Sequence, residues 1–100
     1  MNTIRQGDIL KIEGIKFPVY VASKDFFNST EEIIGCAITS SATLNPLRFF
    51  IITDSFSGYV HCEKIKLLDL KTRGFSIISH VCQNDIMEIS DIIQGIFDYI

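Results

Sequence analysis

The apolar residues of this chain change their period once, near His80, and that change constrains the fold more than any single motif. From Gly7 to about His80 they fall in short runs cut by turn formers, the mark of β-strands. The runs are Ile9–Glu13, closed by Gly14, then Phe17–Ala22, Glu32–Ile38, Leu47–Thr53, Gly58–Glu63, Ile65–Leu70 and Phe75–Ser79. Pro18 suits the start or the edge of its strand, because it has no N–H to donate. Glu32–Ile38 is apolar enough to predict burial on both faces. Asp54-Ser55-Phe56-Ser57 reads as a hairpin turn. About six or seven strands packed into so short a chain predict a small, strongly curved barrel or sandwich.

Beyond His80 the spacing becomes helical. Ile86, Ile89, Ile93, Ile96, Phe97 and Ile100 form one face. Asp85 followed by Glu88 predicts an N-cap with its capping-box partner. Gly95 interrupts the pattern and suggests a close neighbour. The helix should therefore lie on the barrel, across an open end. With 100 residues, 47% hydrophobic and 21% charged, the chain fits a single folded domain over residues 1–100.

Charge and cysteine content narrow the function. A formal net charge of −3 gives no overall basic field, so a nucleic-acid role requires a local patch. Cys36, Cys62 and Cys82 form no CxxC pair and follow no signal peptide, which predicts free thiols in a reducing, cytoplasmic setting. Cys62 reads as a small buried residue. No apolar run reaches the roughly 20 residues of a membrane span. His61-Cys62 and His80-Val81-Cys82 match no compact zinc spacing, so neither a metal nor another cofactor is expected.

The densest chemistry lies in VHCEKIKLLDLKTRG, Val60–Gly74. Strand alternation sends His61 and Glu63 to one face as an acid/base pair. Lys64, Lys66, Lys71 and Arg73 follow closely, a combination suited to phosphate chemistry. Each feature also has a plainer reading. His61 and Glu63 can be a solvated pair on one face, and Lys71 and Arg73 an exposed turn beside Gly74. Thr39 and Ser40 can simply open the Ser/Thr/Asn-rich loop that follows.

The order of these segments resembles the MazF/PemK/Kid toxins of bacterial toxin–antitoxin pairs, from about Arg5 to the C-terminus. Gln6-Gly7-Asp8-Ile9 is similar to the family's first-strand start. Pro18–Ser23 resembles its proline-led second strand, Phe27-Asn28 the Phe-Asn pair after it, and Ala37–Ser40 its strand ending in Thr and Ser or Gly. Cys62–Gly74 resembles the PemK/Kid run of Cys-Asp-Gln followed by Arg-Thr-Ile-Asp-Met-Lys-Ala-Arg-Gly. The resemblance implies a mainly β, SH3-like barrel with a C-terminal helix. It also implies a homodimer, an antitoxin partner, and cleavage of single-stranded RNA at specific sequences without a metal.

The chain departs from the family at informative positions. The first loop is cut to Gly14-Ile15-Lys16, and Phe17 stands where the family has a catalytic arginine before the proline. His61 replaces an arginine, and Glu63 an aspartate. On this reading His61 and Glu63 share the acid and base roles in either order, while Thr39, Ser40 and Lys16 support the phosphate. Lys64, Lys66, Lys71, Arg73 and Phe17 are the candidate RNA contacts. Phe26, Phe27, Phe56 and Tyr59 are further aromatic candidates near loops. An acidic antitoxin would meet Lys16 and the Lys64/Lys66 region. Two other function classes stay open: a homologue that binds without cutting, and a gyrase-directed toxin resembling CcdB.

Overall fold

In a computed structural model, residues 3–40 and 45–97 are described. Six strands and two helices follow one another as β1 (Asp8–Ile12), β2 (Val19–Val21), α1 (Asp25–Asn28), β3 (Glu32–Thr39), β4 (Arg48–Ile52), β5 (Ser57–Asp69), β6 (Phe75–His80) and α2 (Gln83–Phe97). The strands form one curled six-stranded sheet in the order β4-β5-β3-β2-β1-β6, antiparallel throughout. The edge strands approach each other at one end, where Ser79 Oγ donates to Thr53 Oγ1 (2.6 Å).

Both faces of this sheet are apolar, because its strands alternate between two cores. Ile9, Tyr20, Cys36, Ile38, Val60 and Cys62 point to one face, which α2 covers with Ile86 and Ile89. Leu10, Ile12, Val19, Val21, Ile33 and Leu70 fill the other, together with Ile4. The expected burial of Cys62 is thus met, on the helix side. Gly7 sits under the helix at φ +94, with the Ile86 side chain and the His80 ring closing over it. An L-residue there would meet both a backbone it rarely adopts and a side chain in the way.

Several expectations need correction. Gly58–Glu63 and Ile65–Leu70 are one strand, not two, since nothing at Lys64 forces the chain to turn. Strand β3 alternates buried and half-buried residues instead of burying both faces. Helix α2 begins at Gln83, so Asp85 lies inside the first turn, and Ile86 N–H already bonds Cys82 C=O (3.0 Å). Its charge still suits the helix N-terminus. Gly95 faces open space instead of a neighbour, and Ile96 and Phe97 are exposed; Ile100 lies outside the described residues.

The irregularity that matters for function is a bulge in β5. Cys36 pairs with Ile65 and Ile38 with Val60, so Ala37 alone spans His61, Cys62, Glu63 and Lys64. Extra residues in one strand shift its facing relative to its neighbour. Val60 and Cys62 point toward the helix, and beyond the bulge the odd-numbered Ile65 does so as well. Leu68 and Leu70 point the other way.

Candidate active site

That switch of facing gathers side chains that alternation would separate. His61 and Lys66 differ in parity, yet both line one groove of about 480 Å³, as does Lys64. Gly14, Ile15 and Phe17 from the first loop, Thr39 from β3 and Arg73 from the β5–β6 turn complete the part of the wall that bears on chemistry. Thr39, His61, Lys64, Lys66, Arg73 and Phe17 are therefore brought together.

On this wall Thr39 Oγ1 lies 2.7 Å from His61 Nε2. His61 is only 6% exposed. Burial lowers its pKa, the Arg48 charge lowers it further, and Glu63 opposes both. The imidazole is thus neutral at pH 7 and able to accept a proton.

Glu63 stays beside His61, both of them meeting Arg48, but it is turned away from the groove. Lying within the bulge, it is not among the groove's lining residues; its Oε2 instead receives a hydrogen bond from Arg48 Nη2 at 3.3 Å. Burial pushes the Glu63 carboxyl up, but a backbone N–H, the Arg48 hydrogen bond and charge, and His61 outweigh it and leave the pKa below normal. At neutral pH it is a carboxylate already engaged by a cation. Of the two orders open for the pair, this arrangement favours His61 as the base.

Three other candidates lie outside the wall. Ser40 is exposed just past the end of β3. Lys16 is exposed, with its ammonium 5.4 Å from the centre of the Phe17 ring, so it sits at the rim. Lys71 is exposed on the turn, its N–H bonded to Asp69 Oδ1 at 2.9 Å. Among the other aromatics, Tyr59 packs against Phe50 in a tilted pair with ring centres 5.1 Å apart. Phe26 is exposed on α1, and Phe56 packs against the helix-side core.

Arg48 is the residue that sequence reasoning missed. It is the cross-strand partner of His61 as well as the ion-pair partner of Glu63. A signal was present: Arg48 is the one cation in the otherwise apolar run Leu47–Thr53. Nothing local in the sequence indicated that this run would pair with His61.

A larger hollow of about 630 Å³ shares Arg73 with the groove and is lined by Ile4, Asn28, Leu70 and Phe75 among others. It contains no histidine and no hydroxyl–imidazole pair, so size does not select the site. Among the described residues, no cluster of His, Cys, Asp and Glu could hold a metal ion. Nor is any helix among them long and apolar enough to cross a membrane.

The order of elements and the sequence pattern agree with one family. The profile of the PemK-like, MazF-like toxins of type II toxin–antitoxin systems matches residues 6–97. The chain belongs to that family. Solved structures carry the same fold at low identity. MazF of Deinococcus radiodurans, crystallised as a MazE–MazF complex, superposes with a TM-score of 0.88 at 18% identity, covering 97% of this chain and 98% of that one. An endoribonuclease from Mycobacterial species gives 0.80 at 18% identity, with 97% and 93% covered. An endoribonuclease from Mycobacterial species in complex with its cognate antitoxin gives 0.76 at 18% identity, with 92% and 95% covered. No curated protein sequence matches the chain significantly.

Proposed function

We propose that this PemK/MazF-like toxin is a metal-independent endoribonuclease that cuts single-stranded RNA at specific sequences in the groove at the β5 bulge. The observation that carries the reading is the 2.7 Å contact between Thr39 and a neutral, buried His61 on a wall that also bears Lys64, Lys66 and Arg73. Cleavage needs a base at the 2′-hydroxyl, positive charge around the phosphorane and a proton for the departing 5′-oxygen. The Thr39 hydroxyl takes the 2′ proton as it passes its own to His61 Nε2, the nitrogen it bonds, so the imidazole is the final base. The ammonium groups of Lys64 and Lys66 and the guanidinium of Arg73 offset the phosphate charge, and we assign Lys64, on the same wall, as the proton donor to the leaving oxygen. Phe17, exposed on the groove wall, offers an unpaired base a surface to stack on.

The same cations suit an acidic antitoxin, which would silence the toxin by covering them. The partner named in the complexed relatives supports this assignment. Exposed apolar residues on β4, β6 and α2, including Ile52, Ile78 and Met87, suit a homodimer. The cytoplasm is the setting in which both RNA and antitoxin would be met.

Purified protein incubated with a long single-stranded RNA in EDTA, followed by mapping of the ends, tests the reading. Discrete cuts by the wild type and none by His61→Ala are expected. A folded wild type that leaves the RNA intact, with or without a divalent ion, would leave a binding-only homologue as the better description.

A further inference from the structure

The family's arginine before the proline is missing from the shortened first loop, yet a guanidinium stands beside His61 all the same. We infer that Arg48, carried on β4, is the positioning residue of this site: it ties Glu63 down and holds the imidazole between itself and Thr39. The inference rests on the ribonuclease reading and goes beyond it, because it assigns a role to a residue outside the groove wall.

The mounting of Arg48 is rigid on both sides. Its N–H bonds Asn45 C=O at 3.0 Å, and Leu47 N–H bonds Asn45 Oδ1 at 2.8 Å, which fixes the turn leading into β4. Leu47 C=O in turn accepts from Cys62 N–H at 2.9 Å, fastening that turn to β5 next to His61. Register then places Arg48 directly opposite His61. The side chain is only 16% exposed, and its Nη2 reaches Glu63.

Polar atoms converge here to a degree found nowhere else among the described residues. Arg48 Nε, His61 Nδ1 and Glu63 Oε1 are all buried without a hydrogen-bond partner among those residues. The only other such atom among them is the Tyr20 hydroxyl, inside the helix-side core. Buried polar groups are nearly always paired, so three together mark a site under functional constraint. Arg48 acts here through its neighbours. It keeps the Glu63 carboxylate from taking up the substrate's proton, and its charge opposes protonation of His61. That leaves the imidazole as the base.

The test compares Arg48→Ala and Arg48→Lys with the wild type in three measurements. Cleavage of one RNA by Arg48→Ala should fall about 100-fold, the usual consequence of a misplaced catalytic group. Binding of the same RNA carrying a 2′-deoxy sugar at the cut should stay within about threefold, since Arg48 lies outside the groove. The acid limb of the rate should move to higher pH in Arg48→Ala and stay near the wild-type position in Arg48→Lys, which keeps the charge. Wild-type rates in Arg48→Ala, or equal losses in cleavage and binding with an unmoved acid limb, would overturn the inference. If the wild type itself cuts nothing, the ribonuclease reading fails separately. The titration of the His61 ring followed by NMR then decides, and an unchanged midpoint in Arg48→Ala removes the positioning role. Should Arg48→Ala not fold, Arg48→Gln, which keeps a donor for Glu63 while removing the charge, takes its place in the same measurements.

Discussion

Two histidines in this molecule make side-chain hydrogen bonds of the same length in contrasting surroundings. His80 Nδ1 lies 2.7 Å from Asp8 Oδ1, and His61 Nε2 lies 2.7 Å from Thr39 Oγ1. Around Asp8 every polar demand is met: the carboxylate is 1% exposed, its Oδ2 accepts from Arg5 N–H at 2.8 Å, and the Arg5 guanidinium lies 3.8 Å away. The pair joins the first and last strands of the sheet across the chain. Around His61 the demands are left open, with buried polar atoms on three neighbouring residues that no described residue satisfies. A structural cluster closes its hydrogen bonds. A chemical one keeps some in reserve, at a cost in stability.

His61→Ala should lower RNA cleavage by about 10²- to 10⁴-fold, the range for a lost general base, while leaving thermal stability near that of the wild type. Asp8→Ala should do the reverse. Losing the buried carboxylate leaves the Arg5 N–H and the His80 ring without their acceptor, which costs about 1–3 kcal/mol, or roughly 4–12 °C in a domain of this size, and cleavage per folded molecule should persist. Calorimetry beside a cleavage assay reads both variants. Loss of activity in folded Asp8→Ala, or loss of fold in His61→Ala, would erase the distinction.

Acid sharpens the comparison further. His61 has its pKa below the ordinary 6.5 and Glu63 below the ordinary 4.5. In each case the folded chain binds the proton less readily than the unfolded chain. The linked stability is present above the unfolded value and is lost as pH falls through the folded one. His61 therefore contributes a loss that begins near pH 6.5, and Glu63 one that begins near pH 4.5. Denaturant midpoints measured from about pH 7.5 to 4 should fall with acid, and His61→Ala should flatten the upper part of that fall. A wild-type curve that rises as pH drops through about 6 would contradict the assigned burial of His61.

The groove cations should act through charge more than through shape. Lys64→Gln, Lys66→Gln and Arg73→Gln should each weaken binding of an uncleavable single strand and reduce its salt dependence. The slope of log affinity against log salt should become shallower by about 0.7 for each phosphate left without its cation. Lys71→Gln, on the turn but outside the groove wall, serves as the control and should leave the slope unchanged.

How far the site was legible follows from how local its causes are. The short apolar runs identified the strands because alternation is written residue by residue. The Ile stripe identified α2, although its start lies two residues before the Asp85 signal. The Asp25–Asn28 helix was not foreseen, since four residues are too few to show a period. Thr39 and His61 both stand out in the sequence, but their contact depends on β3 pairing with β5. The β5 bulge left no mark in VHCEKIK, which has no glycine or proline at that point. Alternation rightly kept Glu63 beside His61 and the run rightly offered Lys64 to the groove, but nothing in it told that Arg48 would engage Glu63 and leave it outside the groove wall. Register is a property of two strands, and neither strand states it alone.

The smallest expected effect tests whether an unpaired buried polar atom is by itself a sign of function. The Tyr20 hydroxyl is such an atom, but its surroundings differ from those of His61. It is fully buried among Ile9, Cys36, Ile38 and Cys62, and burial, with Cys36, Cys62 and Asp85 adding to it, raises its pKa. No described polar group lies within bonding distance of it, and the groove opens on the opposite face of the sheet. If lack of a partner alone marked function, Tyr20→Phe would impair cleavage. If convergence of several such atoms is the mark, Tyr20→Phe removes an unrewarded desolvation and nothing more. Removal of a hydroxyl that makes no bond should leave stability unchanged or raise it by up to about 1 kcal/mol. The cleavage rate should stay the same. A loss of more than about 1 kcal/mol would mean that the hydroxyl has a partner in solution, and Tyr20 would then belong with Asp8 among the closed structural networks.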